Sequence, residues 1–289
     1  MRLLILFLIP ALMMAKTLSA PLSAVNGDQA TATLQQAQEG LSGVVIRHFD
    51  AAHTAIIANA LVTAYNPSNQ TAHLALSPYD GLHQNSLPYG EWTPREGDEV
   101  RIAPDYSRAL LLAPERVVYD RVTSAFKTLS WVHPDRFAAY LSQNGHPSPT
   151  PEDFNGFCTD NAVGLLYVYF DSSLFTLDCK SLSLLQVVNA PTVYDTVQLP
   201  FFTRIENIRE GFWGEGTDAM KRYAPYYRSL IETANAGSPL LAQYRQSGDK
   251  ASFERDVKEP DAAEDESWFG GLFNIFGDVE IGREMDNEE

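Results

Sequence analysis

The chain has 289 residues, 45% hydrophobic and 20% charged, an ordinary globular composition with room for one large domain or two small ones. Its formal charge of −16 argues against nucleic acid and anionic lipid as electrostatic partners, and membrane association of the folded part is expected to be peripheral if any.

Met1-Arg2 is followed by an almost unbroken apolar run from Leu3 to Ala15. A short positive start and an apolar stretch of about 13 residues read as a secretory signal peptide, too short for a spanning helix. The segment is assigned to residues 1–20, with an uncleaved anchor as the alternative. Ala15, Ala20 and Ala24 are the candidate residues before the cut, and Pro21 disfavours cleavage after Ala20. The expected location is therefore the periplasm or the cell surface. Residues 21–40, rich in Ala, Gln, Thr and Ser, read as a linker or as a short helix over Ala30 to Gln38.

A β pattern begins at Gly43. Val44-Val45-Ile46 is one apolar run, and Ala55 to Ile57 with Leu61 to Tyr65 is another. Asn66-Pro67-Ser68-Asn69 signals a turn, because proline fixes φ and asparagine tolerates the left-handed region. Thr71 to Leu76 alternates, with Ala72, Leu74 and Leu76 on one face, as a half-buried strand does. Glu96 to Ile102 reads as a turn feeding a strand, with Tyr106 to Leu112 as its hairpin mate.

Two helices come next. Pro114-Glu115 opens the first, whose apolar face is Val118, Val122, Ala125 and Phe126. Pro134-Asp135 opens the second, and Asn144-Gly145 stops it. A proline-rich loop from His146 to Pro151 leads to a second β block. Val163 to Phe170 is apolar on both faces and reads as a central strand. Leu174 to Leu177, Leu182 to Val188 and the segment around Phe201-Phe202 complete that sheet. A last helix, capped at Thr217 unless Pro225 delays it, puts Tyr223, Tyr227, Leu230 and Ile231 on one face.

The expected fold is thus α+β and β-rich. Two twisted or small barrel-like β units, bridged by a helix pair, occupy a domain over 41–238. Residues 239–289 form an acidic tail, and 246–289 carry four Lys or Arg against fourteen Asp or Glu. Such a segment buries too little apolar surface to offset the entropy of ordering, so it reads as disordered.

Cys158 and Cys179 are the two cysteines of the chain. In an oxidising compartment an even pair reads first as a disulfide, with two buried thiols as the alternative. His48, Asp50 and His53 are the sharpest cluster of metal-type side chains, but their spacing fits no known site class and a solvated turn is the plainer reading. The acids of Glu152 to Asp160 and Glu259 to Glu266 read as solvated loop and tail. No phosphate loop, nucleophile elbow or zinc-helix motif is present, so no catalytic, cofactor or metal residue is assigned.

Inside the acidic tail, residues 267–277 form an aromatic island: Trp268, Phe269, Leu272, Phe273, Ile275 and Phe276. Leaving such side chains wet costs about 1.5–3 kcal/mol each, so the island reads as a segment docking on its own domain, as a partner-binding linear motif, or as an amphipathic membrane toe-hold, the last disfavoured by the surrounding negative charge.

Several stretches together resemble the N-terminal domain family of the plasminogen-binding protein PgbA. They are Arg95 to Val100, Leu110 to Pro114, Cys158 through Cys179, Pro200 to Glu206, and Tyr223 to Tyr227. Their order and spacing cover residues 41 to 232. The resemblance implies an exported or surface protein that binds another protein, with plasminogen as the partner to consider. In that family capture is attributed to lysines. The tail here carries Lys250 and Lys258 as candidate kringle-contacting residues and ends Asp286-Asn287-Glu288-Glu289. The expectation is a non-enzymatic envelope binding protein without cofactors. A periplasmic hydrolase or sugar-modifying enzyme with a scattered site is the alternative from another class.

Overall fold

Six antiparallel strands, apolar on one face and polar on the other, close into a barrel in the order β1-β2-β5-β4-β3-β6. They are β1 (Leu18–Asn26), β2 (Gln29–Thr33), β3 (Ser42–His48), β4 (Thr54–Asn66), β5 (Thr71–Pro78) and β6 (Glu99–Ile102). The computed structural model describes residues 17–79, 81, 92–208 and 216–251, with 247–251 by backbone alone. Inward positions are small or branched: Ala30 and Ala32 on β2, Ala72, Leu74 and Leu76 on β5, Val100 and Ile102 on β6, all buried. Alanines leave room for the tight closure, and register shifts in the β1–β2, β3–β4 and β4–β5 pairs supply the bends. Gly43 lets β3 pass close to β6: a Cβ there would lie 2.3 Å from the Arg101 carbonyl oxygen.

The second unit is a five-stranded sheet in the order β11-β10-β9-β7-β8. Its strands are β7 (Arg108–Leu112), β8 (Ser130–Val132), β9 (Leu165–Phe170), β10 (Ser173–Asp178) and β11 (Leu184–Asn189). β7 runs parallel to both β8 and β9, while β9, β10 and β11 are antiparallel. Both faces are covered. Leu165, Tyr167 and Tyr169 of β9 face the barrel and α1 (Arg116–Ala125). Leu166, Val168 and Phe170 face α2 (Pro134–Asn144), α3 (Pro151–Asn161), α4 (Tyr223–Ala234) and α5 (Pro239–Ala251). A strand covered on both sides must be apolar throughout, which is the pattern of β9.

A buried carboxylate joins the two units. Asp178, fully buried, accepts hydrogen bonds at Oδ2 from Ser42 N (2.9 Å), Ser42 Oγ (2.7 Å) and Tyr106 OH (2.6 Å). Its Oδ1 takes the backbone N–H groups of Lys180 and Ser181 at 3.0 and 2.9 Å. Ser42 begins β3 of the barrel, so one side chain at the end of β10 ties barrel to sheet.

The architecture is the expected mixed, β-rich one, with several local corrections. Residues 21–40 are not a linker and contain no helix. They supply most of β1 and all of β2, whose alternating Ala30 and Ala32 line the barrel. The expected signal segment 1–20 overlaps β1, where Leu18, Ser19 and Ala20 pair with Ile102, Arg101 and Val100. β7 is not the hairpin mate of β6. Ala109 to Leu112 are buried on both faces, and such a strand belongs in the middle of a covered sheet.

The loop expected at His146 to Pro151 runs directly into α3; the expected bridging pair is three helices, all between β7 and β9 of the sheet, and the chain crosses from barrel to sheet between β6 and β7. Thr150 and Asp153 form a reciprocal capping box there, with Pro151 in the first turn. Phe201-Phe202 forms no strand; Phe201 packs between α2 and α4 in a loop. The domain also continues past residue 238. Leu241 of α5 is buried, and Tyr244 meets Phe175 with ring centroids 4.9 Å apart.

Candidate functional site

Cys158 on α3 and Cys179 just after β10 form a disulfide, with Cα atoms 5.9 Å apart and both residues fully buried. It fastens α3 to the end of the sheet, beside Asp178.

The histidine cluster is not drawn together. His48 Nε2 lies 2.6 Å from Glu99 Oε2, whereas His53 Nδ1 lies 2.8 Å from the Asp50 carboxylate. Asp50 also accepts the backbone N–H groups of Ala52 and His53, so it closes an exposed turn. Among the described residues no three His, Cys, Asp or Glu side chains converge as a metal site requires.

The tyrosine face of α4 belongs to the core. Tyr223 OH donates to the Leu112 carbonyl at 2.9 Å and Tyr227 OH to that of Pro200 at 2.8 Å. Burial pushes both phenols well above their ordinary pKa. The acids of 152–160 lie on α3 rather than in a loop. Asp153 takes Thr150 N at 2.8 Å and His146 Nδ1 at 2.8 Å and so serves the cap. The aromatic island, Trp268 to Phe276, lies outside the described residues, as does Lys258. Lys250 falls within α5, where the backbone alone is described.

The site that sequence reading misses lies between α1, the start of α2 and the loop 198–204. A cleft of about 230 Å³ is lined by Arg116, Tyr119, Asp120, His133, Phe202 and Arg204. Its floor is aromatic: the Tyr119 ring lies 5.4 Å from that of His133 and 5.5 Å from that of Phe202. Arg116, Tyr119 and Asp120 reach it because positions i, i+3 and i+4 share a helix face. His133 arrives as the N-cap of α2, its side chain accepting the Asp135 N–H.

Two ion pairs frame the cleft. Arg116 Nε lies 3.2 Å from Asp120 Oδ2, and Arg204 Nε lies 2.6 Å from Asp135 Oδ2. Burial pushes the Asp135 carboxyl up, but donors from the Arg204 backbone, Thr203 Oγ1 and the Arg204 guanidinium outweigh it and hold the group below its ordinary pKa. Burial raises the Tyr119 phenol, reinforced by the charges of Asp120 and Asp135.

The loop that leads into 198–204 and the first turn of α1 also carry exposed apolar side chains. Val193, Val197 and Leu199 are 60%, 50% and 40% exposed, and Val117 in the first turn of α1 is 47% exposed. They account for four of the seven exposed large hydrophobic side chains among the described residues. The loop that carries three of them is anchored to the start of α1. Glu115 accepts the N–H groups of Asp195 and Thr196, and the Pro114 carbonyl accepts that of Gln198. These bonds hold residues 195–198 against the start of α1. A larger hollow of about 550 Å³ on the barrel exterior, around Thr31, Thr63, Ala64 and His73, is lined by small neutral side chains and His73.

Could the sequence have shown this cleft? Its one local signal is Phe201-Phe202 followed by Arg204, an aromatic pair with a cation two residues on. Read as strand it predicts alternation, and the structure does bury Phe201 fully while Phe202 is half-buried. The pairing with α1 is tertiary and leaves no trace in spacing.

A family model described as "Plasminogen-binding protein pgbA N-terminal" matches residues 17–231. Two curated relatives from Helicobacter pylori strains, each named plasminogen-binding protein PgbA, are 26% and 25% identical to the chain over 179 residues. The match takes in 61% of this chain but 39% of each relative, so the shared part is well under half of those proteins. No solved structure matches the chain.

Proposed function

Because the chain belongs to the PgbA N-terminal family, we propose that it is an exported envelope protein whose folded domain binds another protein without turning it over. The observation that carries this reading is the aromatic cleft between α1 and the loop 198–204, flanked by two exposed arginines. Tyrosine, phenylalanine and arginine are residue types enriched at protein interfaces. The relatives are named for binding, which agrees with a receptor rather than an enzyme.

Plasminogen is the partner of choice, on the strength of those names. The cleft is the contact surface, because an aromatic floor there lies between two largely exposed arginines. Capture of the full chain by immobilised plasminogen tests the reading. Tyr119→Ala with Val197→Asp is expected to abolish capture, while Lys250→Ala with Lys258→Ala leaves it intact. Capture that free lysine and the lysine variant abolish, and that the cleft variant does not touch, would move the activity to the tail.

Export is part of the same proposal, and β1 narrows the cut. A mature chain beginning after Ala20 or Ala24 would lose residues paired with β6, whereas a cut after Ala15 leaves β1 whole.

A further inference from the structure

We propose that the cleft is a carboxylate-and-aromatic site whose resident occupant is the chain's own tail, with the acids Glu264-Asp265-Glu266 on the arginines and the adjoining Trp268-Phe269 on the aromatic floor. The inference uses the cleft described above but does not depend on which partner that cleft captures.

The two arginines define the chemistry. Arg116 and Arg204 line one cleft from opposite elements, and each spends its Nε on a neighbouring aspartate. Both side chains are largely exposed, 76% and 71%, so their terminal nitrogens can reach a ligand. Two guanidinium forks facing one small cleft favour a planar carboxylate, which takes two parallel N–H donors from either. Between them lie Tyr119, His133 and Phe202, a surface for an aromatic ring rather than for a second charge. On the same helix and on the loop before Phe202, Val117, Val193, Val197 and Leu199 are exposed. The ligand that fits is a peptide with acids directly beside large apolar side chains.

The tail supplies that sequence. Glu264-Asp265-Glu266-Ser267-Trp268-Phe269 puts three carboxylates immediately before the aromatic island, and Leu272, Phe273, Ile275 and Phe276 follow as cover for the valines. It can reach. α5 ends at Ala251, and the fifteen residues on to Glu266 span up to about 50 Å extended, comparable with the diameter of a domain of this size. α5 packs at the β11 edge of the sheet and the cleft lies by β8, a lateral offset of four strand spacings or roughly 19 Å. α1 lies on the face opposite α5, so the path also rounds the sheet. A tether of that length holds the peptide near the site at millimolar effective concentration, so even a weak peptide site stays filled. A protein partner must then displace the tail, and the acids that hold it make the displacement easier as salt rises.

Nuclear magnetic resonance of the full chain tests this. Its tryptophans are Trp92, Trp131, Trp213 and Trp268, and Trp268→Phe assigns the fourth indole N–H signal. In the wild type that signal is expected away from its random-coil position. It should return there in Arg116→Ala with Arg204→Ala, and equally in Glu264→Lys with Asp265→Lys and Glu266→Lys. The second variant changes residues beyond those described, and an unchanged Trp131 signal in both shows that the domain still folds. A random-coil Trp268 signal in the wild type overturns the proposal, as does a shifted signal that neither variant moves. A shift that fades on dilution overturns it too, because the occupant is then the tail of a second copy. None of these readings involves plasminogen, so a failure to capture plasminogen leaves them readable.

Discussion

Replacing Asp178 with alanine removes the acceptor from five donors at once. Three of them, Ser42 N, Ser42 Oγ and Tyr106 OH, converge on a single buried oxygen at 2.6–2.9 Å. Leaving a buried donor without a partner costs about 1–3 kcal/mol. The contributions are not additive, and Lys180 N and Ser181 N lie near enough to the surface to find water, so the expected loss is about 4 kcal/mol. In a domain of this length each kcal/mol moves the thermal midpoint by about 2–4 °C, which gives a fall of about 8–16 °C. Asp178→Asn keeps one carbonyl oxygen but turns an NH₂ toward donors, so it should fall by about half as much. Calorimetry of the full chain measures both. Because Asp178 ties Ser42 of the barrel to the end of β10, hydrogen exchange in β3 should rise before that in β9. An alanine variant melting within about 2 °C of the wild type would refute the view that this carboxylate locks barrel to sheet.

Other predictions follow from single sites. Hydrogen bonds from Arg101, with further ones from Ser19 and His48, hold the Glu99 carboxyl at about 2, well below its ordinary 4.5. A depressed folded pKa means that Glu99 stabilises the native state above pH 4.5 and loses that contribution as the pH falls toward 2. Glu99→Gln should therefore lower stability at neutral pH and flatten the acid limb of a stability-against-pH curve; an unchanged limb sinks the assignment. Cys158→Ala with Cys179→Ala opens a 21-residue separation and should cost about 3 kcal/mol in urea unfolding. A loss below about 1 kcal/mol would show that the bond restrains little in the unfolded chain. Amino-terminal sequencing of protein recovered from the envelope should begin at Lys16. A start at Pro21 or Val25 would mean that β1 is dispensable to the barrel.

Features that depend on neighbours along the chain were legible in the residues alone. Alternation in Thr71 to Leu76 placed β5 and its inward face, and the two-faced apolar run before Asp171 made β9 a central strand. Pro134 and Gly145 bounded α2, and Pro225 did delay α4, which begins at Tyr223. Local rules also hid things. β1 and β2 escaped because Ala, Ser and Thr carry little hydrophobic contrast, although a narrow barrel needs such small inward side chains. α3 escaped because its proline and polar residues look like loop until Thr150 and Asp153 are seen to cap each other.

Tertiary structure decided the rest. Whether β7 paired with β6 or with β8 and β9 could not be read from either strand, since pairing is chosen by what covers each face. The cleft is the plainest case. Arg116 and Tyr119 lie more than eighty positions from Phe202 and Arg204, and nothing in their spacing sets them side by side. Glu115 holds the loop 195–198 against α1, and Asp135 holds Arg204 against α2. Those two carboxylates create the site, because a side-chain bond across the fold can bring together residues that no local periodicity relates.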